Sequence, residues 1–565
     1  MKQCNSKYTG PLGQIASRQL VEQRRRPTEG IIGIAPNVWT VAGITGVNHH
    51  VIDAPEGLIV IDSGPNANVG IRLYEHIRSV SQRPIAALVY SHSHFCFGSK
   101  TLLANENFSK VEIHAHRRCH DNVCRTISHE EPGLFFARLA QSGAILPQEG
   151  PDADPIGLPA GLVGPRSYLP PDVLWDENGS DGMIAGEPVR VFTAYPFDSN
   201  DQLMIFFPRL DLLVHGHLSC NFPAIASNGG GRFRDPQPWL DGLDLILSLK
   251  PEYLLGVHGP HVCGKEKVYS TVMEQRDALQ FVYDQTVRAI NRGLTPREAV
   301  DEIDLPAELA GSPGLHQDYA PWNYHIPAIY SGLMNWYSGD ATELLPMNQK
   351  VESEAMIRGF GGWDRMLATI RTEMDQNNWV WAARLARHCV RVMPDSAEAR
   401  LLLAAALRAI GHAADSITTR SICLTQAREW EGHASRRDVA LDFDISIARL
   451  APPGTWVRAL GFRLKAGKAY GLEKTIIIRF TDNDYTCGLS IRRSVAVFLT
   501  QKQLPSSADF EAILSQSDWL LWFMGKITWD ELLSSGHVLS SQNSAEWRDL
   551  WQYFDKWPPI ALNQP

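Results

Sequence analysis

What this chain has little of sets its class. Cysteine is scarce: nine residues scattered from Cys4 to Cys487, an odd number without dense spacing, which excludes a disulfide-stapled scaffold and suits a reducing compartment. Cys119 and Cys124 form the one local pair, and with no second pair at zinc-finger spacing they read as unrelated thiols. No window approaches about 18 uninterrupted apolar residues, so no membrane-spanning helix is expected. The polar stretch Met1 to Thr28, with Arg24, Arg25 and Arg26, lacks an apolar run of leader length, and a cytoplasmic location is the expectation. Positive charge is not in excess either. Lys plus Arg number 53 against 62 Asp plus Glu, and a net charge of −9 argues against nucleic acid as a partner.

What is present is an ordinary globular composition, with 44% hydrophobic and 20% charged residues in 565, enough for three or four cores. From about Gly30 to Gly264 short apolar runs alternate with helical or loop segments. GLIVIDSG, IAALVYSHSH, VEIHAH, QLMIFFP, LDLLVHGHL and EYLLGVHG each have strand length and end in Gly, Ser, Pro, His or Leu, as buried strands do when they deliver loops to a working edge. The Pro- and Gly-rich stretch from Gly143 to Gly186 reads as a long surface loop or lid. Helical spacing then runs from Lys265 to Arg292, stopping at Gly293, and further helices are expected over Trp363 to Gln376, Trp379 to Val392 and Ser396 to Ile410, the last closed by Gly411. From about Ala440 the strands KTIIIRF, CGLSIRR and VAVFLTQ appear, with a turn at Asp482, Asn483 and Asp484, and helix returns between Trp519 and Trp557.

The chemistry gathers at strand ends. His92 and His94 stand at i and i+2 directly after IAALVY, where the chain leaves regular pairing and both imidazoles can turn towards one centre. Such a pair alone is often accidental. Here His217 follows LDLLVHG, His258 follows EYLLGV, and Asp198 follows VFTAYPF, and core packing does not require four strand ends to carry His or Asp. His49 and His50, and the strand residues His114 and His116, are read as making ordinary hydrogen bonds, and His261 as having at most a minor role.

The order GLIVIDSG, strand-HSH, strand-VHGH, strand-VHG resembles the metallo-β-lactamase superfamily, and the whole layout resembles its alkylsulfatase branch. EQRDALQFVYDQT, PREAVDEIDLP and the helices around PDSAEARLLLAAAL carry that second resemblance. It implies an α/β fold: an αββα sandwich over residues 1–264, an all-α dimerisation domain over 265–438 and a small α+β sterol-carrier-protein-like domain over 439–565. It also implies a homodimer and a small amphiphilic substrate.

Placed on the superfamily motif His-x-His-x-Asp-His, this chain keeps His92 and His94 but has Cys96 in the Asp place and Phe97 in the last His place. The branch's Glu corresponds to Asp198, with Asp201 as a second candidate, its bridging carboxylate to His217, and its last His to His258. The resemblance thus implies metal ligands among His92, His94, Cys96, Asp198, His217 and His258, with Asp198 and His217 also catalytic, and one zinc ion rather than two because Phe97 cannot coordinate. Asp62 is expected to orient the metal loop. In SCNFPAIASNGGGRFRD, Asn221, Arg232 and Arg234 are candidates to hold the substrate's anion. The implied activity is hydrolysis of a sulfate or related ester by metal-activated water. Two other readings stay open: a mononuclear iron enzyme using His92, His94 and Asp198 for redox chemistry, and a non-catalytic relative whose C-terminal domain binds a hydrophobic ligand.

Overall fold

The computed structural model describes residues 7–24, 27–126, 133–154, 164–216, 221–228, 230, 232–433 and 445–556. Two sheets face each other in the N-terminal unit, one of seven strands and one of six. Strand Gly57–Ile61 shows why its sequence is apolar throughout: Ile59 and Ile61 point into the core between the sheets, while Leu58 and Val60 point outward under helices. It pairs parallel with Ile85–Val89, which pairs parallel with Glu112–His116. In the second sheet Leu212–His215 pairs parallel with Tyr253–Gly256. Helix Ala67–Val80 covers the first sheet, and Pro236–Leu249 with Lys265–Asn291 covers the second, which completes an αββα sandwich.

All six expected apolar runs are strands, and the expected helices form as Lys265–Asn291, Trp363–Asp375, Trp379–Val392 and Ala397–Ala413. The last runs through Gly411 instead of ending before it, because Gly411 lies against the following helix Ile417–Glu431: a Cβ there would meet Leu424 Cγ at 2.8 Å. The Gly143 to Gly186 stretch, read as one loop, includes two short edge strands, Val173–Trp175 and Ser180–Ile184, and its residues 155–163 fall outside the described set. The C-terminal unit has a four-stranded sheet backed by Gln516–Phe523, Trp529–Ser534 and Ser544–Trp551. Its interior is filled by aromatic rings, with Trp529 4.8 Å from Trp547 and Trp522 4.4 Å from Trp551 between centroids. Among the described residues no helix is long and apolar enough to cross a membrane.

A buried polar clamp ties the segment before residue 155 to the helical unit. Asp152 accepts from Arg408 Nε at 3.0 Å and lies 3.0 Å from His412 Nε2, Arg408 also reaches Glu431, and fully buried Arg420 donates to the carbonyls of Ile15 and Ala153. Burial alone would raise the Asp152 carboxyl, but the hydrogen bonds and charges of His412 and Arg408 outweigh it and bring the pKa down to about 2. A carboxyl depressed on folding adds stability above its unfolded value near 3.8, and that stability is lost as pH falls towards 2. Asp152→Asn should therefore cost about 2 kcal/mol at pH 7. In thermal melts at several pH values the gap from wild type should narrow below about pH 4, and equal stability at pH 7 would contradict this role for the clamp.

Candidate metal centre

The parallel strands end at one edge, and their loops meet there. After Ile85–Val89 the chain turns through the short 3₁₀ segment Ser93–Phe95, which brings His92 and His94 round with ring centroids 4.7 Å apart. The turn is pinned to the neighbouring loop: Phe95 carbonyl accepts from the Ser63 and Gly64 amides, and the Phe97 amide donates to Gly64 carbonyl. Gly98 belongs to this pinning, since a Cβ on it would lie 2.2 Å from the Ser63 carbonyl oxygen.

Asp198 arrives from the loop between strands Glu187–Phe192 and Met204–Phe207 and meets both rings. Its Oδ2 lies 3.2 Å from His92 Nε2 and 2.8 Å from His94 Nδ1, and its Oδ1 accepts from Arg234. Among the described residues these three are the one set of His, Cys, Asp or Glu side chains close enough to share a metal ion, their donor atoms lying within 4.8 Å of one another. Two nitrogens and an oxygen converging on one point fit a single zinc ion, and fit iron as well.

The hydrogen bonds behind the trio set its protons. Ser91 Oγ donates its one proton to Asp62 Oδ2 at 2.6 Å, so towards His92 Nδ1 at 2.8 Å it can only accept. That leaves the proton on Nδ1 and directs Nε2 at Asp198. Burial alone depresses the His92 pKa, but the hydrogen bond and charge of Asp198, with Asp62 and Asp201, outweigh it and leave it raised. Burial pushes the Asp62 carboxyl up to about 6 against the pull of His92 and the Ser91 hydrogen bonds. Desolvation lowers His94, whose side chain is 33% exposed, despite Asp198.

The remaining expected site residues are distributed differently. His258 lines the same cavity, its ring 5.5 Å from Phe95, and its pKa is lowered by burial to about 4, but it is not one of the trio. Its Nδ1 lies 3.2 Å from Gly46 carbonyl. Cys96 is not brought to the centre: its thiol is buried in the core on the far side of the turn and donates to Ser93 carbonyl at 3.2 Å. Phe97 lies under the Arg166 guanidinium in that core. His217 lies outside the described residues. Asn221 donates to Asp318, Arg234 is committed to Asp198 and to Ala224 carbonyl at 2.6 Å, and Arg232 stands exposed at the cavity wall.

Asp201, a candidate ligand in the sequence, is an anchor. Fully buried, it accepts from the Ser93 amide at 2.8 Å and from Ser199, tying the His loop to the Asp198 loop. Ser91 went unremarked in the sequence, although it immediately precedes His92. His49 and His50 make the ordinary bonds expected of them, to Asp62 carbonyl at 3.0 Å and to Thr40 Oγ1 at 2.9 Å. The centre opens into a cavity of about 900 Å³, walled in part by Ile32, Ala42, Val47, Phe95, Phe233 and Ile417.

Two family models match the chain: Alkyl sulfatase dimerisation over residues 295–433 and Alkyl sulfatase C-terminal over residues 445–560. A linear primary-alkylsulfatase of Pseudomonas sp. (strain ATCC 19151) is 30% identical over 461 residues, 79% of this chain and 87% of that protein. An (R)-specific secondary-alkylsulfatase of Pseudomonas sp. is 25% identical over 499 residues, 84% of this chain and 72% of that protein. The solved structure of the stereoselective inverting sec-alkylsulfatase Pisa1 from Pseudomonas sp. superposes with TM-score 0.82 at 21% identity, over 98% of this chain and 93% of that one, a likeness of fold.

The geometry separates Cys96 from the trio in a way that metal content can check. After gel filtration, Cys96→Ala should hold as much metal per chain as wild type, while His94→Ala should hold much less. A large loss of metal in Cys96→Ala would place the thiol at the cation after all.

Proposed function

The chain belongs to the alkylsulfatase family, and from that premise we propose that it cleaves sulfate esters of amphiphilic alcohols with one zinc ion held by His92, His94 and Asp198. The observation that carries the reading is the convergence of these side chains on one point at the wall of a large, partly apolar cavity. When bound there, the cation supplies Lewis acidity and lowers the pKa of water at the site. The protein's own groups do the rest. Asp62, through Ser91, keeps the Nδ1 proton of His92 in place and its Nε2 lone pair aimed inward. Arg234 holds Asp198 Oδ1 so that Oδ2 stays turned to the imidazoles. Asp201 fixes the spacing of the two loops. The apolar wall suits an alkyl chain, whose burial is favourable by about 0.8 kcal/mol per methylene.

The relatives matched over most of the chain carry sulfatase names, which favours hydrolysis over iron-based redox chemistry by the same trio. A non-catalytic lipid carrier has no need of the assembled trio, and the packed aromatic interior of the C-terminal unit does not suit that role. A homodimer is part of the proposal. Within the segment matched by the dimerisation model, Trp336, Leu345 and Met347 are 67%, 82% and 57% exposed, an apolar surface that a second copy would cover.

Purified protein loaded with zinc should release inorganic sulfate from decyl sulfate and stop on chelation, and His92→Ala and His94→Ala should each lose at least about a hundredfold in kcat/KM. Turnover by the metal-free protein would remove the mechanism. By light scattering the wild type should be dimeric, and the double variant Trp336→Ser, Leu345→Ser should shift towards monomer. An unchanged mass would place the interface elsewhere.

A further inference from the structure

The apolar side chains of the cavity differ in how far they stand from solvent. Phe95, 8% exposed, marks the inner end, its ring 5.0 Å from that of His92 between centroids. Val47 and Ile417 are buried as well. Ile32 and Phe233, 39% and 43% exposed, mark the mouth, where the cavity meets solvent. Phe233 is held there from two sides. Through the chain it is tied to the metal centre, because the next residue, Arg234, pairs with Asp198 and donates to Ala224 carbonyl at 2.6 Å. Its ring rests on Gly332 of helix His325–Met334: a Cβ on Gly332 would lie 2.2 Å from the ring's Cε2, and the three atoms it would meet first all belong to this ring. Glycine permits that approach and a larger residue would not. The helix lies in the segment matched by the dimerisation model, so the mouth is built by two units of the chain.

We propose that Phe233, seated on Gly332, selects the substrate by the length of its alkyl chain. This rests on the reading of the substrate as the sulfate ester of an amphiphilic alcohol. With the charged head at the trio, the first carbons of the chain pass Phe95 and the other buried side chains, and later carbons reach the mouth. There the exposed part of the Phe233 ring is what a further methylene covers. Each methylene taken out of water raises affinity about fourfold. A chain that stops short of the ring gains nothing from it, so the ring's contribution is confined to longer chains. The tether through Arg234 and the seat on Gly332 keep the ring in one place, and little freedom is lost when a chain covers it.

Hexane-1-sulfonate and decane-1-sulfonate share a head group that cannot be hydrolysed and differ only in the length of the chain. Their affinities for the zinc-loaded protein are measured by calorimetry, and sulfate release from decyl sulfate is followed on the same preparation. The wild type should bind the longer sulfonate at least about thirtyfold more tightly. Phe233→Ala should cut that ratio at least about fivefold with the affinity for hexane-1-sulfonate unchanged, and Phe233→Leu should keep most of it. Gly332→Ala suits a helix better than glycine, so the helix holds while the new Cβ takes the place of the ring, and the ratio should fall here too. A merely structural role would not move the ratio. A ratio unchanged in either alanine variant, a ratio near one in the wild type, or an equal loss for both sulfonates overturns the assignment. Absence of sulfate release by the wild type instead overturns the hydrolytic reading, and the ratio then still decides the role of Phe233.

Discussion

Asp62 sits at the end of strand Gly57–Ile61 in a left-handed conformation, φ 63°, and its carboxylate accepts from both the amide and the hydroxyl of Ser91. Everything at the working edge depends on this buried pairing. Ser91 is the residue before His92, so the bond that holds the loop also determines which nitrogen of the imidazole carries the proton. A buried carboxylate left without these donors would cost several kcal/mol. The alternative loop arrangements that would scatter the histidines are disfavoured for the same reason. Asp201 repeats the device one loop away, holding the Ser93 amide with its own loop only three residues from Asp198. Two buried acids thus position a third that faces the cavity.

The electrostatics of the centre follow from that arrangement. Asp198 brings its carboxylate against two imidazoles, with Arg234 behind it, and its charge favours the protonated form of His92. A divalent ion binding there competes with protons for the same nitrogens and oxygen, so the carboxylate that makes the site attractive to metal also makes it sensitive to acid. The wider cavity carries an excess of guanidinium over carboxylate, which favours anions at an edge whose scaffold is otherwise apolar. Cys96 and Phe97 both lie in the core beneath the turn, where they form part of the hydrophobic support of His92 and His94.

The strands of the sandwich were legible because both faces of each are buried, which leaves runs such as LIVI and AALV with no other plausible home. The long helices were legible through their period and their caps. Edge strands Val173–Trp175 and Ser180–Ile184 were not, since a short strand exposed on one side needs no apolar run and sits among the glycines and prolines of its neighbours. Gly411 misled for a related reason: glycine at a helix end and glycine under a crossing helix look alike in sequence, and the proximity of Leu424 decides between them.

From the chain's residues alone came the layered α/β architecture, a resemblance to the family, and six candidate ligands, His92, His94, Cys96, Asp198, His217 and His258, because local pattern and strand-end chemistry are written in consecutive residues. Which way each side chain turns was decided only by the tertiary structure. Cys96 occupies a ligand's place in the motif, yet the 3₁₀ turn and the hydrophobic core beneath it claim the thiol. Arg234 was a candidate for the substrate, yet Asp198, 36 positions earlier, claims the guanidinium. Charges and thiols pair with whatever the fold brings within a few ångströms, and that proximity is a property of packing between distant segments.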